Sequence, residues 1–303
     1  MTRVVPFSDD AIAEAAELIR NGEPVAIATE TVYGLAADAT NAAAVARIYE
    51  AKARPSFNPL IVHVPDLAAA QRIGEFGPEA LKLARKYWPG PLTLVVPLRK
   101  DSGVASLVTA GLPTIALRVP GHRAMQALLR ATGRPLAAPS ANASGSISPT
   151  RAAHVLKSLG GRIPLIVDDG PCERGIESTI VAATDGPLRL LRPGPIAIDA
   201  APSRAGTIES PGQLPSHYAP SKPLRINIVN ADFDEFHLGF GVVPGDVSLS
   251  RSGDLTEATV RLFDLLHQAD ASARPRIAVA PVPGEGLGAA INDRLRRAAG
   301  KRG

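Results

Sequence analysis

The chain has 303 residues, 45% of them hydrophobic, enough to bury one large core or two smaller ones, and its length suggests about two domains. Aromatic residues make up only 4%, which argues against a surface that binds single strands by stacking bases on rings, while a net charge of +4 and a pI of about 9.4 suit an anionic partner such as a nucleotide or RNA, or serve solubility alone. A single cysteine, Cys172, excludes an intrachain disulfide, a thiol metal cluster and a CxxC redox pair, and points to a reducing, cytoplasmic compartment.

In chain order, residues 1–22 carry Asp9, Asp10, Glu14 and Glu17 among Ile12, Ala15, Ala16 and Ile19, an amphipathic pattern unlike a secretion signal. No uncharged apolar run nears the ~20 residues of a bilayer span, so no membrane contact is expected. Strand signals at 25–29, 60–64, 92–97, 114–119, 163–167 and 179–182 alternate with helical patterns at 41–52, 78–87 and 123–131. This alternation predicts an α/β fold. Between residues 193 and 223 prolines crowd a stretch with little periodicity, read as a semi-rigid connector. A strand at 224–229, a helix at 254–268, a strand at 277–282 and a helix at 287–299 then predict a second, smaller α/β unit. The expected division is 1–202, a linker at 203–222, and 223–303. Near the end, Gly284, Gly286 and Ala289 match a dinucleotide-binding fingerprint only loosely.

Several segments carry chemistry. Thr29-Glu30-Thr31-Val32-Tyr33-Gly34 reads as a strand with two threonines on one face running into a turn; Thr is also simply a good strand former. Lys52 and Arg54 precede Pro55, which ends the preceding helix. Read as extended backbone, these residues two apart face the same way, as do Ser140 and Asn142, so that together they resemble half of a polyphosphate cradle. Cations at a helix C-terminus are also common dipole partners. His63 follows three apolar residues in an expected strand, where a lone histidine is more often structural than catalytic. In 114–119, Thr114, Ala116 and Arg118 share one strand face, where a guanidinium can grip a carboxylate or phosphate in two places, or which simply meets water. The stretch 136–149, with Ser140, Asn142, Ser144, Ser146 and Ser148 around Gly145, suits close approach of backbone to a ligand, or is a Ser/Asn turn; it lacks the GxxxxGK[ST] pattern. Asp168-Asp169-Gly170 is first a turn signal.

The order and wording of these segments resemble the Sua5/YrdC family: Thr29-Glu30-Thr31-Val32-Tyr33-Gly34-Leu35, Lys52-x-Arg54-Pro55, residues 58–63, Trp88-Pro89-Gly90-Pro91-Leu92-Thr93, Arg118-Val119-Pro120, residues 139–145, Glu177-Ser178-Thr179-Ile180 and Leu191-Arg192-Pro193-Gly194. The resemblance spans residues 1–200, and Ser210-Pro211-Gly212 with His217-Tyr218-Ala219-Pro220 resembles the linker of the longer Sua5 members. It implies a YrdC-like twisted open sheet with a basic concave surface, joined to a smaller Rossmann-like Sua5 domain. The implied activity is synthesis of L-threonylcarbamoyladenylate from L-threonine, bicarbonate and ATP, with Mg²⁺ carried by the ATP, for t6A modification of tRNA. Carried over by position, Thr31, His63, Arg118, Ala138 and Ser178 are expected to hold threonine. Lys52, Arg54, Asn58, Thr114, Ser140, Asn142, Ser148, Arg192, His217 and Tyr218 are expected to hold ATP, with Lys52 and Arg54 the catalytic pair. A downstream t6A transferase machinery and a weak tRNA contact complete the implied partners. Ala36, where relatives often have glycine, and Gln213-Leu214-Pro215-Ser216, where many have Met and an aromatic, depart from the family pattern; the linker is expected to act as a lid. The other class left open by the residues is a non-catalytic RNA-binding translation factor using the same basic concavity, which predicts salt-steep RNA affinity and no nucleotide turnover.

Overall fold

The computed structural model describes residues 1–202, 209–212 and 217–300. The first unit runs β1 (Arg3–Pro6), α1 (Asp9–Arg20), β2 (Val25–Ile27), β3 (Gly34–Asp38), α2 (Ala42–Lys52), β4 (Ile61–His63), α3 (Leu67–Ile73), α4 (Pro78–Tyr87), β5 (Leu92–Pro97), α5 (Ser106–Thr109), β6 (Thr114–Arg118), α6 (Arg123–Thr132), β7 (Leu136–Ala137), α7 (Ala152–Leu159), β8 (Leu165–Asp168), β9 (Thr179–Ala182), β10 (Arg189–Arg192) and β11 (Ala201–Pro202). The second runs β12 (Leu224–Ile226), β13 (Glu235–Gly239), β14 (Val247–Ser248), α8 (Leu255–Ala271), β15 (Arg276–Val279) and α9 (Leu287–Ala299).

Among the described residues, eleven strands form one mixed sheet in the order β1-β8-β2-β3-β7-β4-β6-β5-β9-β10-β11, and four form a parallel sheet, β12-β15-β13-β14. Helices cover both faces of the large sheet, because successive side chains of a strand point to opposite sides. In β2, Val25 and Ile27 join a core with Ile12 and Ile19 of α1 and Leu128 of α6, while Ala26 joins the other core with Val45 and Ile48 of α2. α1 starts where the Ser8 hydroxyl accepts from the Ala11 amide, and α2 where the Asn41 side chain accepts from the Ala43 and Ala44 amides. Tyr218, Val32, Ile147 and Ile176 belong to the core of the second unit, with Phe263, Leu262 and Leu295. The two units therefore share one of the apolar clusters.

Four expectations need correction. The threonine segment is a connection between antiparallel β2 and β3, since Thr29 Oγ1 accepts from the Thr31 and Val32 amides and donates to Val32 O, satisfying its own turn instead of a ladder. Lys52 is the last residue of α2 and Ala53 caps it in the left-handed region at φ 49°, so Lys52 and Arg54 are separated by a backbone reversal and not by extended chain. Ser140 and Asn142 are likewise not extended: the Asn142 amide donates to Ser140 O at 3.0 Å, a three-residue turn. The proline-rich stretch is packed where it is described. β11 pairs with β10, and His217 and Tyr218 are buried; residues 203–208 and 213–216, which hold the departures noted at 213–216, lie outside the described residues. Of the glycines near residue 286, Gly288 serves close packing, since a Cβ there would stand 1.9 Å from Pro283 O, while Gly286 adopts a positive φ of +55° before α9.

Because the Asn41 cap supports the helix that ends at Lys52, Asn41→Ala should lower stability by ~1 kcal/mol, read as a reduced urea midpoint with an unchanged slope.

Candidate functional site

A small cleft opens at one end of the central strands. β4 ends in His63 and parallel β6 ends beside it in Arg118, paired in register. Ala138 and Ser140 follow β7, Ser178 precedes β9, and Arg192 closes β10. The β2–β3 connection contributes Thr31 and Val32, and the packed end of the proline-rich stretch contributes Pro211, Gly212, His217 and Tyr218. Strand ends supply functional side chains for a physical reason: the ladder fixes the backbone while the last residue is released toward the open edge.

Of the residues expected from the sequence, Thr31, Arg54, His63, Arg118, Ala138, Ser140, Ser178, Arg192, His217 and Tyr218 line the cleft. Lys52, Asn58, Asn142 and Ser148 are buried directly beneath that lining. Lys52 Nζ donates to Ser140 O at 2.5 Å and to Asn142 O, so the carbonyls of the Ser140–Asn142 turn, not its side chains, meet the lysine. Thr114 does not line the cleft. It shares a face of β6 with Arg118 but stands four residues away, about 13 Å along a strand, because alternation fixes the face of a side chain and not its distance from the site.

The electrostatics divide into two kinds. Arg118 is paired: Nη2 meets Glu30 Oε1 at 2.6 Å, Nη1 donates to Thr31 Oγ1 at 3.0 Å and Nε to Gly90 O. Burial raises the Glu30 pKa, but the charge and hydrogen bond of Arg118 outweigh it and hold the carboxyl below its usual range. Lys52, Arg54 and Arg192 are only 1%, 9% and 4% exposed, and among the described residues none of the three forms an ion pair with a carboxylate. Carbonyls and hydroxyls stand in: Arg54 donates to Asn58 O and Pro59 O, and Arg192 donates to Ser178 O and Oγ. Burial depresses all three, aided at Lys52 by the charge of Arg54; Arg54 falls to about 10. Burial and the Arg118 charge push His63 down to about 3, so its imidazole is neutral at pH 7, and burial with the four nearby cations likewise keeps His217 neutral. Among the described residues, His63 Nδ1, Asn142 Oδ1 and both polar atoms of the Asn58 side chain are buried without a hydrogen-bond partner, a cost that a polar ligand removes.

Sequence reasoning missed three supporting carboxylate or hydroxyl groups. Glu30 braces Arg118, Glu177 accepts from Ser148 Oγ, and Thr93 Oγ1 bonds Ser178 Oγ at 2.8 Å. All three lie inside quoted motifs, yet a carboxylate next to a threonine or serine carries no local signal of what it braces. Asp168 accepts from the Tyr33 hydroxyl and the Gly170 amide, and Asp169 pairs with Arg123, so the acidic pair shapes a turn. Among the described residues no group of His, Cys, Asp or Glu is arranged to hold a metal ion, and no helix is long and apolar enough to cross a membrane.

A mixed α/β sheet whose strand ends surround buried, carboxylate-free cations defines an anion-binding protein of the α/β class. The chain belongs to the Sua5/YciO/YrdC family: the family model described as "Telomere recombination" matches residues 17–194, and the model "Threonylcarbamoyl-AMP synthase, C-terminal domain" matches residues 179–300. It is 41% identical to the threonylcarbamoyl-AMP synthase of Bacillus subtilis, over 100% of this chain and 96% of that protein. It is 39% identical to the Pyrococcus abyssi protein of the same name, over 95% and 94%. The crystal structure of P. abyssi Sua5 complexed with L-threonine superposes with a TM-score of 0.90 at 35% identity, covering 98% of each chain.

Anion binding should raise the depressed pKa of Lys52 toward its ordinary value. Between the two values the free protein holds the lysine unprotonated and the complex holds it protonated, so binding takes up protons in that window. Calorimetry of an ATP analogue in buffers of differing ionisation enthalpy should show this uptake at alkaline pH, and Lys52→Met should reduce it.

Proposed function

We infer that the protein synthesises L-threonylcarbamoyladenylate from L-threonine, bicarbonate and ATP, releasing pyrophosphate, and so supplies the activated group for t6A modification of tRNA. The observation that carries this reading is the meeting of Lys52 with the Ser140–Asn142 turn, beside Arg54 and Arg192, in the cleft that also holds Arg118 and Thr31. A triphosphate suits three buried cations without carboxylates, and an amino acid suits a braced arginine beside a hydroxyl and a neutral imidazole. The names of the full-length relatives support the same assignment.

On this reading Arg118, held by Glu30, takes the threonine carboxylate, while Thr31, His63, Ser178 and the backbone at Ala138 surround the rest of the amino acid. His63, neutral and with Nδ1 unpartnered, accepts a hydrogen bond and does not repel the amine. Lys52, Arg54, Asn58, Ser140, Asn142, Ser148, Arg192, His217 and Tyr218 hold ATP; Thr114 belongs to this set only for a nucleotide that extends along β6. The threonine amine captures bicarbonate as a carbamate with loss of water. A carbamate oxygen then bonds the α-phosphorus, the bond to the β-phosphate bridge breaks, and pyrophosphate leaves. Such a transfer depends on alignment and on neutralising charge at the phosphates, which the cation set supplies without a strong base.

Mg²⁺ fits as a passenger of the nucleotide. The carboxylate lining the cleft, Glu177, is engaged by Ser148 and Arg294, so the chain contributes cations and not metal ligands; the ion supplies further neutralisation of the leaving pyrophosphate. Bicarbonate, transfer of the product by downstream t6A machinery, tRNA contact and a cytoplasmic location belong to the same proposal.

Radiolabelled pyrophosphate release should require both L-threonine and bicarbonate. Lys52→Ala or Arg54→Ala should reduce it at least 100-fold, since a charged hydrogen bond removed from a transition state costs about 2.7–4 kcal/mol. Release that ignores threonine, or salt-steep RNA binding without any release, would contradict the assignment.

A further inference from the structure

The second unit sends one side chain into the wall of the cleft. Arg294 of α9 is completely buried, and each nitrogen of its guanidinium has a partner. Nε donates to Glu177 Oε2 at 2.9 Å, Nη2 reaches Glu177 O at 3.4 Å, and Nη1 donates to Pro193 O at 2.6 Å and to Asp293 Oδ2 at 3.1 Å. Its Cζ stands 5.5 Å from the centroid of the Tyr218 ring. Every one of these contacts except Asp293 is one residue away from a cleft residue or is one. Glu177 precedes Ser178, Pro193 follows Arg192, and Tyr218 itself lines the cleft. The other oxygen of Glu177 accepts from Ser148 Oγ.

We propose that Arg294 is a positioning residue for the nucleotide half of the site: by fixing Glu177, Pro193 and Tyr218 it holds Ser148 and Arg192 in binding geometry, so the second unit completes the catalytic pocket. The proposal rests on the synthase reading and deepens it. Its geometry has a physical logic. Among the described residues Arg192 is not paired with a carboxylate; it points its Nε and Nη2 at Ser178, and carbonyl and hydroxyl acceptors hold a buried guanidinium weakly. The chain on either side of this pair, Glu177 and Pro193, is pinned by one planar fork with several donors in fixed directions, a task for which lysine is a poor substitute. Tyr218, in the left-handed region at φ 64°, is held in that unfavourable conformation by Phe263 and the Arg294 face. The threonine half depends on it less: Ser178 follows Glu177, but Arg118, which takes the carboxylate, is braced by Glu30 and Gly90 within the first unit.

The test measures dissociation constants of the α,β-methylene analogue of ATP and of L-threonine by calorimetry on the full chain, alongside melting temperature and pyrophosphate release. Arg294→Met should weaken the nucleotide analogue at least 10-fold and threonine less than 3-fold, and Arg294→Lys should fall between wild type and Met. Because Arg294→Met leaves Glu177 buried without its partner, the double variant Glu177→Gln with Arg294→Met serves as the second arm. It should recover melting temperature toward wild type while the analogue remains weakly bound. Unchanged analogue affinity in Arg294→Met, equal weakening of both ligands, or full recovery of analogue affinity in the double variant would overturn the role of Arg294. A wild-type chain that binds neither ligand would instead overturn the synthase reading.

Discussion

Positive charge buried without negative charge is the constraint around which this protein is arranged. Moving a cation out of water costs several kcal/mol even after relaxation, and Lys52, Arg54 and Arg192 stand together in one cleft wall. Carbonyl oxygens of the Ser140–Asn142 turn, of Asn58 and Pro59, and of Ser178 offset part of that cost. Full compensation needs an anion, so the free protein is organised for a ligand that it does not itself supply. The depressed pKa values of the three cations are the same statement in protonation terms.

Two arginines are treated differently. Arg118 and Arg294 each have a buried glutamate, Glu30 and Glu177, and each also bonds backbone carbonyls beside the cleft, Arg294 meeting the Asp293 carboxylate as well. Paired arginines thus set the shape of the pocket, and unpaired cations set its charge. The second unit takes part through more than Arg294: Arg151 bonds Asp264, the His154 and His267 rings stack at 3.8 Å, and His267 contacts Ser148 O at 3.2 Å. Gly175 allows the close approach, since a Cβ there would lie 2.4 Å from Thr259 O at a φ of +70°. Units that share an apolar core and these contacts behave as one packed body around the cleft.

Much of the fold was legible in the chain. Helix α4, strand β5, strand β9 and helix α9 fall on the expected residues, because each combines a clear period with a proline, a cap or a β-branched run. Strand β3 was not legible. Gly34-Leu35-Ala36-Ala37-Asp38 has little intrinsic strand preference, and it is a strand because β2 and β7 close on it from both sides. Helix α7 follows a loop rich in serine and proline that masks its start, and β13 lies in a segment with acidic residues on both sides of one short apolar run.

What the sequence determined by itself was the inventory: an alternating α/β chain, two units, and a set of cations, hydroxyls and amides in the order of one family. Residue type and local spacing carry that information, because periodicity, turn chemistry and charge act over a few residues. Only the tertiary structure decided that Lys52 faces carbonyls of the Ser140–Asn142 turn, that Thr114 stands away from the cleft while Arg118 enters it, and that Glu177 is shared between Ser148 and an arginine 117 positions later. Those facts depend on contacts between residues far apart in the chain, where desolvation and packing outweigh any local preference.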